Sequence, residues 1–486
     1  MGKRGRPSDE RDAASPLAVR LLGTFIMFTV LAGQFWRNLL GWWGFGAIAI
    51  VSLLLGLIAL AVLRPHWGWR SIPKPLAAFL LIATASIVWS YYQGASAIGL
   101  AILWTSTIAA LFLALTLSWA ELVRALATAL RWALALSLAF ELAVSTLLGH
   151  AMLPFWVSYP GDKQPLEFYW SRGLLLDGGP IEGIVASHNL LGFLALLALI
   201  IFLAQIVASV RRHAWGGGLW HAIWLLVALL TLALTGSATV IVASALVFVV
   251  FVFAVWARYS GRWGLRAVYL MAAASVAGAT FALLTYTPQI LGALGRSQSL
   301  TGRTTIWANV VELAQERPLL GWGWVGYWAP WVDPFQDIYE HGGVVYLQAH
   351  NAWLDVWLQT GLIGVLAFTA LALSTLGRSW LFAIRRPPAL TPPSTLAPFS
   401  MVPLLLTTAL LAQGLAESRL LIEYGWVLLV VLAVVTKRRQ KPQPAPQPSV
   451  PKDGPVLTDS APDAGSTDAP RRRSQPTETE AADRVG

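Results

Sequence analysis

A short stretch of this chain places an arginine where it could bind an anion. GRTTIWANVVELAQERPLLGWGW predicts a helix that opens near Gly302 and ends at Pro318, with apolar residues at helical spacing. Arg303 falls in its first turn, where a guanidinium beside unpaired backbone N–H groups suits a phosphate or another anion. The alternatives are that Arg303 pairs with a loop acid or extends to the bilayer interface.

A histidine follows at the outer mouth of the next predicted helix, in the stretch LQAHNAWLDVWLQTGLIG. Asn351 is a good N-cap for that helix, which leaves His350 at its external end. Asn351, Asp355 and Gln359 are spaced four residues apart, so they form a polar stripe that must avoid lipid and face the protein interior or a wet cavity. Gly361 in the same helix permits close packing.

An earlier stretch, SRGLLLDGGPIEGIVASHNLLG, repeats the combination with Arg172 and a second pair, His188 and Asn189. Both pairs open a helix that runs inward, so the two mouths could converge on one anionic group. Near the outer ends of the last two helices, Glu417 is a further ionisable candidate, and pairing with Arg303 or Arg419 is its structural alternative.

Tryptophans crowd the same external region. Trp322, Trp324, Trp328 and Trp331 follow one another closely, and their flat faces could stack on sugar rings or grip an isoprenoid chain. Anchoring at the membrane interface is the alternative for each of them.

The amino-acid composition indicates whether these residues lie in a soluble or a membrane protein. Of 486 residues, 56% are hydrophobic and 12% are charged, whereas soluble domains carry about 25% charged residues. The chain is therefore predicted to be an integral membrane protein. It has no cysteine, which excludes disulfides and thiolate ligands. The net charge of +10 does not indicate nucleic acid, because the basic residues recur in alternate connections between apolar segments.

The apolar segments predict an all-α polytopic protein with about twelve membrane-spanning helices. They cover 16–36, 41–62, 75–89, 95–117, 127–148, 188–207, 219–234, 238–256, 267–286, 352–373, 398–416 and 420–435.

The distribution of Lys and Arg places both termini in the cytoplasm. Residues 1–15 are then a disordered N-terminus, 16–436 the membrane domain and 437–486 a disordered tail. Two long connections, 149–187 and 287–351, fall on the extracytoplasmic side, and the second contains the surface helix that begins near Gly302. Long connections usually carry function.

Three motifs in order, GRTTIW, RPLLGWGW and HNAWLDVWLQTGLIG, resemble the signature of the O-antigen ligase and O-antigen polymerase family of bacterial membrane enzymes. The resemblance implies a GT-C-like helical fold and a glycosyltransferase at the outer face of the cytoplasmic membrane. It implies a glycan donor on undecaprenyl diphosphate, a sugar, lipid or cell-wall acceptor, and neither metal nor cofactor. Polysaccharide flippase and chain-length proteins are the partners expected from it.

The resemblance assigns catalysis to Arg303 and His350. Glu417 or Asp355 would orient the histidine or serve as a substitute base, and Glu417 is counted with the catalytic residues. The expected substrate-binding residues are Arg172, His188, Asn189, Asn351, Asp355, Trp307 and Trp324. Arginines would neutralise the diphosphate leaving group, and His350 would deprotonate the incoming hydroxyl or bind the diphosphate. Direct displacement would invert the anomeric carbon.

Two other functions remain open. Transport proteins for inorganic carbon or another small anion share the signature, and intramembrane polar residues serve a permeation path equally well. Against transport, the polar residues cluster at the outer side and no broken helix at mid-membrane is evident from the sequence. A scaffold in a polysaccharide assembly would tolerate replacement of Arg303 and His350.

Overall fold

The computed structural model describes residues 15–65, 68, 71–157, 164–293, 302–336, 338–341, 343–385 and 399–440. Within them the chain forms thirteen α-helices: α1 (Leu17–Leu31), α2 (Gly33–Leu63), α3 (Lys74–Ala85), α4 (Gln93–Thr116), α5 (Trp119–Ala143), α6 (His188–Arg211), α7 (Trp215–Thr235), α8 (Ala238–Tyr259), α9 (Arg262–Ala293), α10 (Arg303–Glu316), α11 (Ala352–Ile384), α12 (Val402–Gly414) and α13 (Glu423–Arg438). A two-stranded antiparallel ribbon, β1 (Glu340–His341) and β2 (Val344–Val345), lies between α10 and α11.

The all-α polytopic class is confirmed, and every predicted span overlaps one of these helices. Eight helices in the described part of the chain are long and apolar enough to cross a membrane, and α1, the α3 segment and α12 are shorter apolar helices. The count of twelve spans is therefore not confirmed. α13 continues to Arg438, beyond the predicted start of the tail, and the tail from 441 and residues 1–14 lie outside the described residues.

The centre of the bundle is formed by α6 and α13. Almost every residue of α13 is buried, and α6 is buried along most of its length, which fits helices that are apolar all round. By contrast, α7, α8 and α9 carry many exposed Leu, Val and Phe side chains, as a lipid-facing surface requires. Because α13 is central, the short connection before it brings Glu417 into the protein interior.

α11 is broken at Gly361, whose φ of 65° and ψ of −172° are not helical. The break is filled by the segment 318–323, and a Cβ at this glycine would meet the carbonyl of Leu319, so only glycine fits. Four backbone hydrogen bonds join the segment to the broken helix: Leu362 N to Pro318 O at 2.9 Å, Ile363 N to Leu319 O at 3.4 Å, Trp322 N to Leu358 O at 2.9 Å and Gly323 N to Gln359 O at 2.8 Å. The backbone N–H and C=O groups that lose their helical partners at the break therefore form hydrogen bonds inside the protein.

α2 is broken in the same way at Gly41, where φ is 73°. In an unbroken helix the carbonyl of Arg37 would accept the N–H of Gly41. Instead the indole N–H of Trp156 donates to that carbonyl at 2.5 Å, and the Trp156 ring lies against Gly41. Neither break was predicted, because periodicity does not distinguish a packing glycine from one with positive φ.

Candidate functional site

The carboxylate of Glu417 lies between the two residues that the sequence assigns to catalysis. Its Oε1 atom is 2.8 Å from Arg303 Nη2, and its Oε2 atom is 2.9 Å from His350 Nδ1. The amide of Gln348 donates to Oε2 at 3.3 Å. The structure thus brings together a guanidinium, an imidazole and a carboxylate from three separate segments.

The start of α10 positions Arg303. Gly302 precedes the helix as its N-cap with a φ of 82°, and this backbone turn sets Arg303 as the first helical residue. Ile306, Val310 and Ala314 face inward at helical spacing and are buried. The predicted helix and the predicted place of Arg303 in its first turn are confirmed.

His350 occupies a tight turn directly before α11. Its φ of 50° lies in the left-handed region, which a non-glycine residue adopts only when its neighbours hold it there. Asn351 caps the helix as predicted, since its side-chain oxygen accepts from Trp353 N at 3.0 Å and Leu354 N at 3.3 Å. On the other side of the turn, the indole of Trp307 donates to the carbonyl of Ala349 at 2.9 Å.

The predicted polar stripe of α11 faces the interior, and it binds protein groups. Asp355 is fully buried and accepts Trp328 Nε1 at 2.7 Å, Ala349 N at 3.0 Å and the hydroxyl of Ser418. Gln359 is also fully buried, and its Oε1 accepts the backbone N–H groups of residues 325 and 326, each at 2.9 Å. In the part of the chain that the structure describes, both side chains bind groups of neighbouring loops. They therefore position the site through those loops.

The charges around Glu417 decide its ionisation. Burial of this carboxyl favours its neutral form, yet His350 and Arg303 together hold the pKa of Glu417 below its usual range. Glu417 is then ionised near neutral pH. An ionised carboxylate at Nδ1 favours the tautomer in which Nδ1 donates, which leaves Nε2 of His350 able to accept a proton.

A second ionic cluster adjoins the first and was not predicted. Glu423 receives two arginines: Arg37 Nη1 lies 2.5 Å from Oε1 and Arg419 Nη1 lies 2.7 Å from Oε2. The Arg419 guanidinium also stands 5.5 Å from the ring centroid of Tyr327, and burial raises the pKa of that phenol. The sequence feature that could have indicated this cluster is that Arg37 and Arg419 are the basic residues of the short connections predicted to be external.

The other helix mouth contains its own ion pair. Arg172 Nε lies 2.8 Å from Glu182 Oε1, and Asn189 at the start of α6 accepts the hydroxyl of Ser237 at 2.6 Å. Burial raises the pKa of Glu182 to about 7, and nearby Glu141 adds to the effect against the lowering influence of Arg172. Arg172 and Arg303 therefore contact different carboxylates, and the structure does not join the two mouths around one group.

Trp324 is a core residue, which corrects its expected role. It is 1% exposed and packs edge-on against Phe79 at 5.5 Å between ring centroids, so a substrate cannot reach its face. Trp328 is equally buried, whereas Trp331 is 72% exposed. The length of the loop and the spacing of its tryptophans do not show which of them are buried, because a loop that folds into a helical bundle buries only some of its tryptophans.

No group of three or more His, Asp or Glu side chains suitable for a metal ion occurs in the described part of the chain. The candidate site therefore consists of Arg303, His350 and Glu417, with Gln348 beside them and the Glu423 cluster adjoining.

Residues 221–369 match the family model described as O-antigen ligase. The matched segment runs from α7 into α11 and contains Arg303 and His350, while Glu417 lies beyond its end. A curated relative, the exopolysaccharide production protein ExoQ of Rhizobium meliloti (strain 1021), is 30% identical over 193 residues. The alignment covers 38% of this chain and 44% of that protein, so the chain spans less than half the length of this relative. The chain is a multi-pass membrane protein that resembles the O-antigen ligase and polymerase family, as its three motifs predict.

Proposed function

We propose that this protein is a glycosyltransferase of cell-surface polysaccharide synthesis. It takes a glycan from an undecaprenyl-diphosphate donor at the outer face of the cytoplasmic membrane and transfers or polymerises it. The observation that carries the proposal is the contact of Arg303 and His350 with the two oxygens of Glu417. The family match and the name of ExoQ support the same class of substrate.

The cluster suits displacement at an anomeric carbon. As the C–O bond to the lipid diphosphate breaks, negative charge develops on the leaving oxygen and must be stabilised. A guanidinium has five N–H donors, so Arg303 can bind a phosphate while it keeps its contact with Glu417. The positive end of α10 adds to this stabilisation.

His350 is the proposed general base. With Nδ1 donating to Glu417, Nε2 faces the acceptor hydroxyl and takes its proton as the oxygen attacks the anomeric carbon. Glu417 orients the ring and stabilises the imidazolium that forms. One displacement inverts the anomeric configuration, and a product with retained configuration would refute this mechanism.

Arg172, His188 and Asn189 stay in the proposal as donor-binding residues at the second mouth, with Asn351, Asp355 and Trp307 positioning His350. Trp324 leaves the set of substrate contacts because it is buried.

A transporter is the second candidate, and the broken helices α2 and α11 favour it, since discontinuous helices line the substrate sites of many transporters. In this protein, however, backbone from 318–323 fills the break at Gly361. A permeation path needs backbone groups that the break leaves without helical partners and that face an open channel. At Gly361 these groups instead bind the protein's own backbone.

The test is a profile of lipid-linked and surface glycans in cells with wild type, a deletion, Arg303→Ala and the control Arg262→Ala, whose side chain is exposed at the start of α9. Single lipid-linked repeats that accumulate in the deletion and in Arg303→Ala indicate a polymerase. Long lipid-linked chains without transfer indicate a ligase. Unchanged glycans in both, with protein present in the membrane, refute the enzyme and favour the transporter.

A further inference from the structure

A cavity of about 200 Å³ lies beside the N-terminal end of α2, next to Arg37 of the Glu423 cluster. Its walls include Gln34, Arg37, Asn38, Trp42, Trp156 and Glu167. Pockets for drug-sized ligands measure roughly 300–1,000 Å³, so this cavity fits a single ring-sized group. The glycosyl-transfer chemistry proposed above does not use it.

The break at Gly41 builds this cavity. It turns α2 so that Trp42 stands at the rim, 63% exposed, while Trp156 closes the opposite side, 47% exposed, with its N–H on the carbonyl of Arg37. The Arg37 guanidinium lies over one face of the Trp42 ring at 5.3 Å, and the Trp156 ring packs against Gly41, so the exposed remainder of each indole borders the cavity. A flat aromatic face packs against the C–H face of a sugar ring, which offers apolar hydrogens on one side and hydroxyls around its edge.

The polar groups in the walls fall into two sets. The Arg37 guanidinium is already used by the protein: Nε and Nη2 donate to Gln34 at 3.0 and 2.8 Å, and Nη1 meets Glu423. Gln34 also donates to Asn38 Oδ1 at 2.9 Å, and the remaining polar groups of the wall residues include the Nδ2 amide of Asn38 and the carboxylate of Glu167, which form no hydrogen bond with another described residue. One donor and one charged acceptor beside aromatic faces suit hydroxyl groups.

An anion fits this cavity poorly. Glu423 is shared by the guanidiniums of Arg37 and Arg419, and Glu167 supplies a second carboxylate at the rim, so positive and negative side chains balance here. A phosphate, whether from a lipid headgroup or a diphosphate, would meet repulsion from Glu167, and among the described wall residues the one guanidinium, that of Arg37, is already bound to Glu423 and Gln34. The balance of charge therefore favours a neutral, hydroxyl-rich ligand.

The cavity adjoins the candidate site by two routes. Arg37 meets Glu423, which in turn meets Arg419 on the connection that carries Glu417. On the other side, Glu167 lies close enough to Tyr346 to act on it electrostatically, and the Tyr346 ring stands 5.9 Å from the ring of His350. A sugar held here is connected to the site of the proposed reaction.

We propose that the cavity bounded by Asn38, Trp42, Trp156 and Glu167 binds one sugar ring of a saccharide substrate. The assignment of that saccharide to the donor or to the acceptor rests on the proposed function, whereas its binding does not.

The probe is a set of oligosaccharides released by partial acid hydrolysis from the surface polysaccharide of the same cells. Their binding to the full chain in lipid nanodiscs is measured by titration and by saturation-transfer NMR. Trp42→Ala and Glu167→Gln should each weaken binding about tenfold. The matched controls are Trp43→Ala, next to Trp42 and 94% exposed, and Asp177→Asn, an exposed acid in the same loop as Glu167. Both should bind as wild type does.

Absence of oligosaccharide binding to wild type, or equal loss in the controls, overturns the proposal. So does stabilisation by phosphatidylglycerol that disappears in Trp42→Ala while oligosaccharides have no effect, since a headgroup would then occupy the cavity. In a product assay, a raised KM for lipid-linked donor or for acceptor saccharide in Trp42→Ala supports the subsite and assigns the ring.

The outcomes for the two proposals can be separated. Saccharide binding that depends on Trp42, together with normal glycans in Arg303→Ala, retains the cavity and refutes the glycosyltransferase. Loss of glycan in Arg303→Ala, with unchanged binding in Trp42→Ala and Glu167→Gln, does the reverse.

Discussion

The carboxylate of Asp355 accepts the backbone N–H of Ala349 at 3.0 Å, and Ala349 is the residue immediately before His350. The same carboxylate accepts the hydroxyl of Ser418, the residue immediately after Glu417. One buried side chain therefore fixes both neighbours of the contact between His350 and Glu417. Asp355 is a positioning residue, and it acts through backbone.

We predict that Asp355→Asn lowers glycan product while the protein still folds, because the amide keeps the shape but replaces one acceptor oxygen with a donor. Asp355→Ala leaves its three donors unpaired in the interior and should destabilise the fold by about 3 kcal/mol or more. Glycan profiles and thermal unfolding of both variants provide the check. Wild-type product from Asp355→Ala would show that the turn at His350 does not need this carboxylate.

Glu417→Gln should reduce product formation about a hundredfold, since an amide neither neutralises Arg303 nor stabilises an imidazolium. Because the pKa of Glu417 is already below its usual range, the wild-type carboxylate stays ionised at neutral pH. It loses its charge, and the stability that comes with it, only as the pH falls below the ordinary range of a glutamate. Glu312→Gln, on the exposed side of α10, is the control. Equal activity of the two variants, measured as turnover of lipid-linked donor, would exclude an orienting role.

Gly361→Ala should unfold the outer half of α11. A Cβ at this position meets the Leu319 carbonyl in a backbone conformation that favours glycine, so the expected cost is more than about 3 kcal/mol. Gly377→Ala, in the same helix with open space around it, should leave the melting temperature unchanged or raise it slightly. The melting temperatures of the purified variants test this prediction. A Gly361→Ala variant as stable as wild type would show that the fold does not need the break in α11.

We predict that the raised pKa of Glu182 makes the free energy of unfolding depend on pH, and that Glu182→Gln removes this dependence. Its pKa of about 7 in the folded chain exceeds the ordinary value of 4.5, so the stability that the neutral form contributes is complete below about pH 4.5. It is lost as the pH rises to about 7, by an amount on the order of 3 kcal/mol. Relative to wild type, Glu182→Gln should become more stable as the pH rises from 4.5 to 8 in thermal unfolding. Parallel curves for the two proteins would contradict the shift.

The sequence predicted the local positions of Arg303 and Asn351 at their helix starts, and it missed the contacts that hold the surrounding loops. The N-cap Asn351 and the place of Arg303 at the start of α10 follow from local rules, and those rules depend on few neighbours. The pairing of Arg303 with Glu417 was present only as an alternative, because it joins residues 114 positions apart.

What could not be predicted depends on contacts between distant segments. Periodicity shows that Asp355 and Gln359 avoid lipid, but it does not identify the loop groups that they bind. It also gives Trp324 and Trp331 the same appearance, although one is buried and the other exposed. Arg37 was read only for membrane orientation, since its partner Glu423 lies near the other end of the chain.

The filled break in α11 makes the spacing of the three motifs in this chain a structural requirement. The backbone of RPLLGWGW completes the hydrogen bonds of the helix that begins within HNAWLDVWLQTGLIG, and α10 leads directly into RPLLGWGW. An insertion or deletion between residues 317 and 323 would shift this register and move Arg303 relative to His350. Length variation should therefore be tolerated between residues 329 and 346, where the ribbon lies, and be rare between Arg303 and Gly323.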